Sequence, residues 1–138
     1  MKISIILLLV VLTVFSYIAS AGDIKPAYFE TADVTGTTRF VIKLIDEENI
    51  KHARGLLDGT ITVRPHFMGR IKKTTTDYNP RYSFHLDSDT ISFFDLAIEV
   101  CDAHTSYVED HLDEACGAFL PGCFWCPWTS KLVREIKH

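Results

Sequence analysis

The chain has 138 residues, with 14 Lys and Arg against 18 Asp and Glu and a net charge of −4. An acidic balance argues against nucleic acid or an anionic membrane surface as the main partner. The length suits one domain with its own core.

Met1 and Lys2 lead an apolar run from Ile3 to Phe15, and Ala19, Ser20 and Ala21 follow. The run is short for a bilayer, which needs roughly 20 apolar residues. A positive start, an apolar middle and small residues at a cleavage site predict a secretory signal peptide over 1–21, cut after Ala21. The expected mature chain is a single domain over 22–138, secreted, with no membrane association after cleavage. Loss of Lys2 takes the 14 basic residues to 13 against 18 acidic ones, a net charge of about −5.

Tyr28 to Asp33 reads as a first strand, Val34 to Thr37 as a turn around Gly36, and Thr38 to Ile45 as a β-branched second strand. Asp46 looks like a helix N-cap, with Glu47 and Glu48 opposing the positive helix end. Ile50, Ala53, Leu56 and Leu57 recur at helical spacing and Gly59 suits a C-terminal cap, which predicts a helix over 47–58.

His66 to Lys73 reads as a strand, and Thr74 to Arg81 as an exposed loop around Asn79 and Pro80. Tyr82, Phe84 and Leu86 alternate as on a strand, Asp87 to Asp89 turns, and Ile91 to Phe94 is apolar. Ala97 to Cys101 is predicted as a further strand. Thr105 or Ser106 could cap a second helix through Glu114, with Tyr107, Val108, His111, Leu112 and Ala115 on one face. Ser130 to Ile136 fits either a last strand or a short helix, and strand is the expectation. The order is β-β-α-β-β-β-α-β. It implies an α+β domain: a mainly antiparallel, curved sheet of five or six strands, two helices on one face, and disulfide staples.

Four cysteines, Cys101, Cys116, Cys123 and Cys126, in a secreted domain point to two disulfides. Of the three pairings, Cys123 with Cys126 would make a tight ring. Cys116 with Cys123 would close a turn-forming loop, leaving Cys101 for Cys126. A redox reading of Cys123-Phe124-Trp125-Cys126 lacks the helix start that would activate a thiolate. A zinc reading joins Cys101 and His104 to Cys123 and Cys126. It leaves Cys116 over and sits poorly with an oxidising compartment, so no metal and no cofactor are expected. The carboxylates Asp87, Asp89 and Asp95 lack the spacing of a calcium loop. The histidines are scattered, and no serine stands in a nucleophile elbow.

Several stretches agree with one another: Met68 to Ile71, Tyr78 to Asp87, Ile91 to Asp95, Ala97 to Ala103, Val108 to Leu112, and Trp125 to Trp128. Together they resemble a small secreted domain family labelled calmodulin-binding protein, over about residues 27–136. The resemblance implies a Cys101–Cys126 bridge with Cys116–Cys123 as an added one, and it carries over no catalytic residue. The label implies calmodulin as a partner. Calmodulin captures basic amphipathic helices, whereas the first helix mixes Lys51 and Arg54 with two glutamates and the second is acidic.

The expected function is a secreted, non-enzymatic binding domain with Tyr78, Arg81 and Trp128 as its candidate surface, since exposed aromatics and arginine favour recognition. Trp125 is expected to pack as core. The alternatives are a secreted hydrolase, which would gather His85, a carboxylate and a hydroxyl in one pocket, a hydrolase inhibitor with a protruding rigid loop, and a calcium-dependent calmodulin binder.

Overall fold

The computed structural model describes residues 22–97 and 99–138. The expected leader over 1–21 lies outside the described residues. Among them, seven strands are present: β1 (Ala27–Asp33), β2 (Arg39–Leu44), β3 (His66–Lys72), β4 (His85–Leu86), β5 (Ser92–Phe94), β6 (Phe124–Trp125) and β7 (Ser130–Ile136). The helices are α1 (Glu47–Asp58) and α2 (Thr105–Asp110).

The α+β class, the antiparallel strand pairing and the two helices stand. The strands divide between two sheets rather than one. The first has the order β2-β1-β7; in the second, β3 pairs with β4, β5 and β6. Inside the first sheet, the first five residues of β1 alternate. Phe29 and Thr31 are buried, while Tyr28 and Glu30 are half-exposed. On β2 the inward set is Phe40, Ile42 and Leu44. A period of two is what a sheet with one face on the core requires.

Helix α1 forms where its caps place it. The Asp46 carboxylate accepts the Asn49 N–H at 2.9 Å, and Gly59 closes the helix at φ 82°. Ile50 and Ala53 are buried, with Leu56 and Leu57 packed at the edge of the core. His52 is buried too: its Nε2–H donates to the Arg64 carbonyl at 2.9 Å and its ring meets Phe93 at 4.8 Å. The ring is a satisfied structural group.

The two sheets meet through aromatic rings. Phe40 of β2 lies 5.1 Å from Phe84 and 5.2 Å from Trp125. Trp125 also meets Phe67 at 5.9 Å and Phe84 at 5.5 Å. The Trp125 pairs are edge-to-face and Phe40–Phe84 is stacked, and both arrangements add to the area they bury. Trp125 is fully buried, and its indole N–H donates to the Ala103 carbonyl at 2.9 Å. It is core, as expected.

Three segments depart from their sequence expectation. Tyr82 to Phe84 is not strand. The Ser83 N–H binds the Glu109 carboxylate, at 2.9 Å to Oε2, instead of a neighbouring strand. The expected strand from Ala97 to Cys101 is also not one: Glu99–Cys101 is a 3-10 turn, and Ile98 lies outside the described residues. Leu96 and Val100 are 82% and 60% exposed, so their apolar character reports no burial. The chain turns there to bring Cys101 to Cys126. The second helix stops at Asp110 instead of Glu114, and its N-cap is His104.

Candidate recognition surface

The cysteine segment is a covalent clamp. Cys101 bonds Cys126 and Cys116 bonds Cys123, with Cα separations of 5.1 and 4.2 Å. The bridge between Cys101 and Cys126 is flanked by a backbone bond, Cys126 N–H to the Cys101 carbonyl, at 2.8 Å. The smaller ring holds Cys116, Leu120 and Cys123 at positive φ, a region that favours glycine, and Leu120 is fully buried. A closed ring keeps such backbone in place. With all four sulfurs in disulfides, none is a thiolate for zinc or for redox exchange.

Trp128 packs on this clamp. It is half-exposed, 5.6 Å from Phe94 and 5.9 Å from His66, and its backbone N–H donates to Asp102 Oδ1 at 3.0 Å. His66 starts β3. Tyr78 sits near His85, which pairs with Lys72 at the other end of that strand. Six residue steps of strand span about 20 Å. The structure therefore brings Tyr78 and Arg81 together and leaves Trp128 apart from them.

The loop before β4 is held by Asn79. Its Oδ1 accepts the Val41 N–H at 2.8 Å and its Nδ2–H donates to the Val41 carbonyl at 2.7 Å. β2 is an edge strand of the first sheet, and edge strands carry unpaired N–H and C=O groups. The amide side chain supplies one residue's worth of missing strand. Asn79 is only 3% exposed.

This pin fixes its neighbours. Tyr78 lies edge-on to Tyr28 at 5.3 Å and 5.9 Å from the His138 ring. Tyr82 packs against Phe40 at 5.4 Å. Arg81, between them, is exposed and makes no hydrogen bond or ion pair among the described residues. Burial raises the phenol pKa of Tyr78 and of Tyr82 above the ordinary value; at Tyr82 the nearby Arg81 charge works against it. Both hydroxyls stay protonated donors at neutral pH.

Around these groups opens a cleft of about 220 Å³, lined by Glu30, Arg39, Val41 and the run from Tyr78 to Tyr82. Glu30 accepts Arg134 at 3.1 Å and pairs with Arg39 at 3.7 Å. The cleft offers cations, two phenols and a carboxylate already held by arginines. That chemistry suits recognition. Asn79, Arg39 and Glu30 were absent from the sequence-based site. The Asn-Pro dipeptide signals a turn, but nothing local signals a bond to a residue 38 positions away.

The histidines are spread over separate contacts, and one of them, His138, meets the Asp77 carboxylate at 3.0 Å. His85 Nδ1–H donates to the Thr74 carbonyl at 2.8 Å, and His104 Nδ1 meets Thr129 Oγ1 at 3.3 Å. Asp102, close to His104 in the chain, binds the Trp128 backbone instead. Among the described residues neither His85 nor His104 hydrogen-bonds a carboxylate, and no three His, Cys, Asp or Glu side chains are grouped as a metal site.

No curated protein and no solved structure matches this chain. One family does: the sequence from 25 to 138 matches the BP-74 N-terminal domain. That span takes in both sheets, both disulfides and the Asn79 loop, and it agrees with the resemblance carried by the Tyr78 to Asp87 and Trp125 to Trp128 stretches. The chain belongs to the BP-74 N-terminal domain family.

Proposed function

We propose that this is a secreted, non-enzymatic recognition domain whose partner meets it at Tyr78 and Arg81. The observation that supports this reading is the Asn79 clamp. Two hydrogen bonds to Val41 hold the loop rigid. At its crest stands an arginine with no ion pair among the described residues, with a tyrosine on either side. A loop fixed in advance loses little entropy on binding. Rigid tyrosines and a desolvatable arginine are the residue types that dominate binding energy at interfaces.

The disulfides fit the expected extracellular setting, since such bonds persist in oxidising compartments. The signal peptide expected over 1–21 supplies the route. Secretion is tested by expressing the full chain in cells and sequencing the N-terminus of protein recovered from the medium. A start at Gly22 supports the reading, and retention of Met1 within the cell overturns it.

The recognition surface is tested by the double substitution Tyr78→Ala and Arg81→Ala. Binding to the surface of cells that retain the wild-type protein should fall at least tenfold. Unchanged binding by a folded double variant would sink the assignment.

A further inference from the structure

The outer face of the first sheet carries a charge opposite to that of the whole chain. The register places Lys43 beside Tyr28, Val41 and Arg134 on either side of Glu30, and Arg39 beside Ala32. Directly paired residues share a face. Phe29, Phe40 and Ile42 point the other way into the core. The solvent side thus presents Arg39, Lys43 and Arg134, and the Asn79 loop adds Arg81 at its rim.

Among the paired residues of this face, Arg39, Lys43 and Arg134 surround the single carboxylate Glu30, in a chain of net charge −4. Glu30 is shared by Arg39 and Arg134, so it cannot neutralise both. Lys43 lies 6.0 Å above the Tyr28 ring, and Arg81 makes no ion pair among the described residues. The other carboxylates lie at the rim, off the paired positions of this face: Asp77 meets His138 at 3.0 Å, and Glu109 and Asp33 keep their charge with the neutral partners Ser83 and Thr35. A local excess of cations attracts polyanions whatever the sign of the net charge.

The shape narrows the class. Arg39 and Lys43 stand four residues apart on β2, about 13 Å, and β2 and β7 are two strand spacings apart, about 10 Å. Charges so spaced on one side of a sheet suit an extended chain with regularly placed anions. An acidic peptide would gain most by adding a strand at β2, and Asn79 already occupies the Val41 edge groups. A lipid surface would call for protruding apolar side chains, and Val41 is buried under the loop. Tyr78 lines the cleft beside Arg81 and offers a sugar its phenol, and Glu30, oriented by two arginines, can accept sugar hydroxyls.

We propose that this face binds an acidic polysaccharide, with its sulfate or carboxylate groups on Arg39, Lys43, Arg81 and Arg134 and a sugar ring beside Tyr78. This deepens, and rests on, the reading of Tyr78 and Arg81 as a recognition surface.

The test is retention of the full chain on immobilised heparin and on immobilised polygalacturonate. Poly-glutamate, a single-stranded oligonucleotide and phosphatidylserine vesicles serve as comparison probes. The wild-type protein should bind at least one glycan at low salt and more tightly than the three comparison probes. Affinity should fall with salt, and Lys43→Glu and Arg81→Glu should each weaken it several-fold and flatten the salt dependence by about one charge. Lys51→Glu, on the exposed side of α1 away from this face, should leave retention unchanged. Matching thermal melts of the variants confirm that they fold.

No retention on either glycan, tighter binding to the oligonucleotide, peptide or vesicles, or an equal loss with Lys51→Glu would each overturn the ligand class. If Tyr78→Ala with Arg81→Ala still abolishes cell binding in those cases, only the ligand class falls. If that double variant binds cells normally while Lys43→Glu abolishes glycan retention, the cell-recognition reading falls instead.

Discussion

Replacing Asn79 should loosen the candidate surface and measurably destabilise the fold. The side chain is 3% exposed and makes two hydrogen bonds to the Val41 backbone, at 2.8 and 2.7 Å. Each bond contributes about 1 kcal/mol net, and a buried group left without a partner costs about 1–3 kcal/mol. Val41 sits on an edge strand where water can replace part of the loss, so Asn79→Ala should cost about 2–4 kcal/mol. For a domain of this size that is a fall in Tm of about 8–16 °C. Urea denaturation with the disulfides intact measures it, and amide exchange at Val41 should accelerate in parallel.

Asn79→Asp is the sharper variant. It keeps an oxygen for the Val41 N–H but turns a second oxygen toward the Val41 carbonyl. Its carboxyl is thereby pushed above the unfolded value, so the protonated form fits the fold. The stability deficit relative to the wild type should be smallest below the unfolded carboxyl pKa, about 3.9, and grow as pH rises through the folded value. A loss below about 0.5 kcal/mol in Asn79→Ala, or a deficit in Asn79→Asp that ignores pH, would refute the clamp.

Other expectations rest on separate contacts. Removing the Cys116–Cys123 bridge by paired alanines should cost about 2.5 kcal/mol, and removing Cys101–Cys126 about 3.5 kcal/mol because it closes the longer loop; equal effects in urea denaturation would contradict the loop-length account. Trp125→Ala should cost about 3–5 kcal/mol, since it empties the junction of the two sheets and strands the Ala103 carbonyl; thermal unfolding tests this, and a loss under about 1 kcal/mol would contradict it. The hydrogen bond from Arg54 holds the Glu135 carboxyl below its ordinary range. The contribution is present above the unfolded carboxylate pKa and lost as pH falls through the folded value. The pair is largely exposed, so Arg54→Ala should cost under about 1 kcal/mol at neutral pH and nothing in acid. Urea denaturation at both pH values measures it, and an equal cost at each would contradict the ion pair.

Where the sequence carries a strong local pattern, the fold follows it. Asp46 and Gly59 bracket α1 to the residue, because capping chemistry is local. β1, β2 and β3 alternate or run β-branched long enough to declare themselves, whereas Ser130 to Ile136 fits helix as well as strand until its pairing with β1 decides. The misread parts are those where distant residues decide. Phe124–Trp125 is a strand only because Gly69 and Arg70 lie beside it. Ser83 leaves the strand pattern because Glu109, 26 residues on, takes its N–H. The division into two sheets depends on which edges pair, and periodicity does not encode that.

The candidate surface was legible to the same degree. Asn79 and Pro80 mark an exposed turn, so Tyr78 and Arg81 could be paired from the chain alone. The clamp to Val41 could not, and Trp128 belongs with the Cys101–Cys126 bridge. Net charge is a sum over the whole chain and carries no position, whereas strand register gathers Arg39, Lys43 and Arg134 around Glu30 on one side of the first sheet.

The central claim is that the Asn79-pinned surface recognises a partner. Its most direct test compares wild-type protein, Tyr78→Ala with Arg81→Ala, and Trp128→Ala in one cell-surface binding titration, with circular dichroism confirming that each is folded. The account expects the double variant to lose at least tenfold in affinity and Trp128→Ala to bind as the wild type does. Loss of binding through Trp128 with Tyr78 and Arg81 dispensable would contradict it.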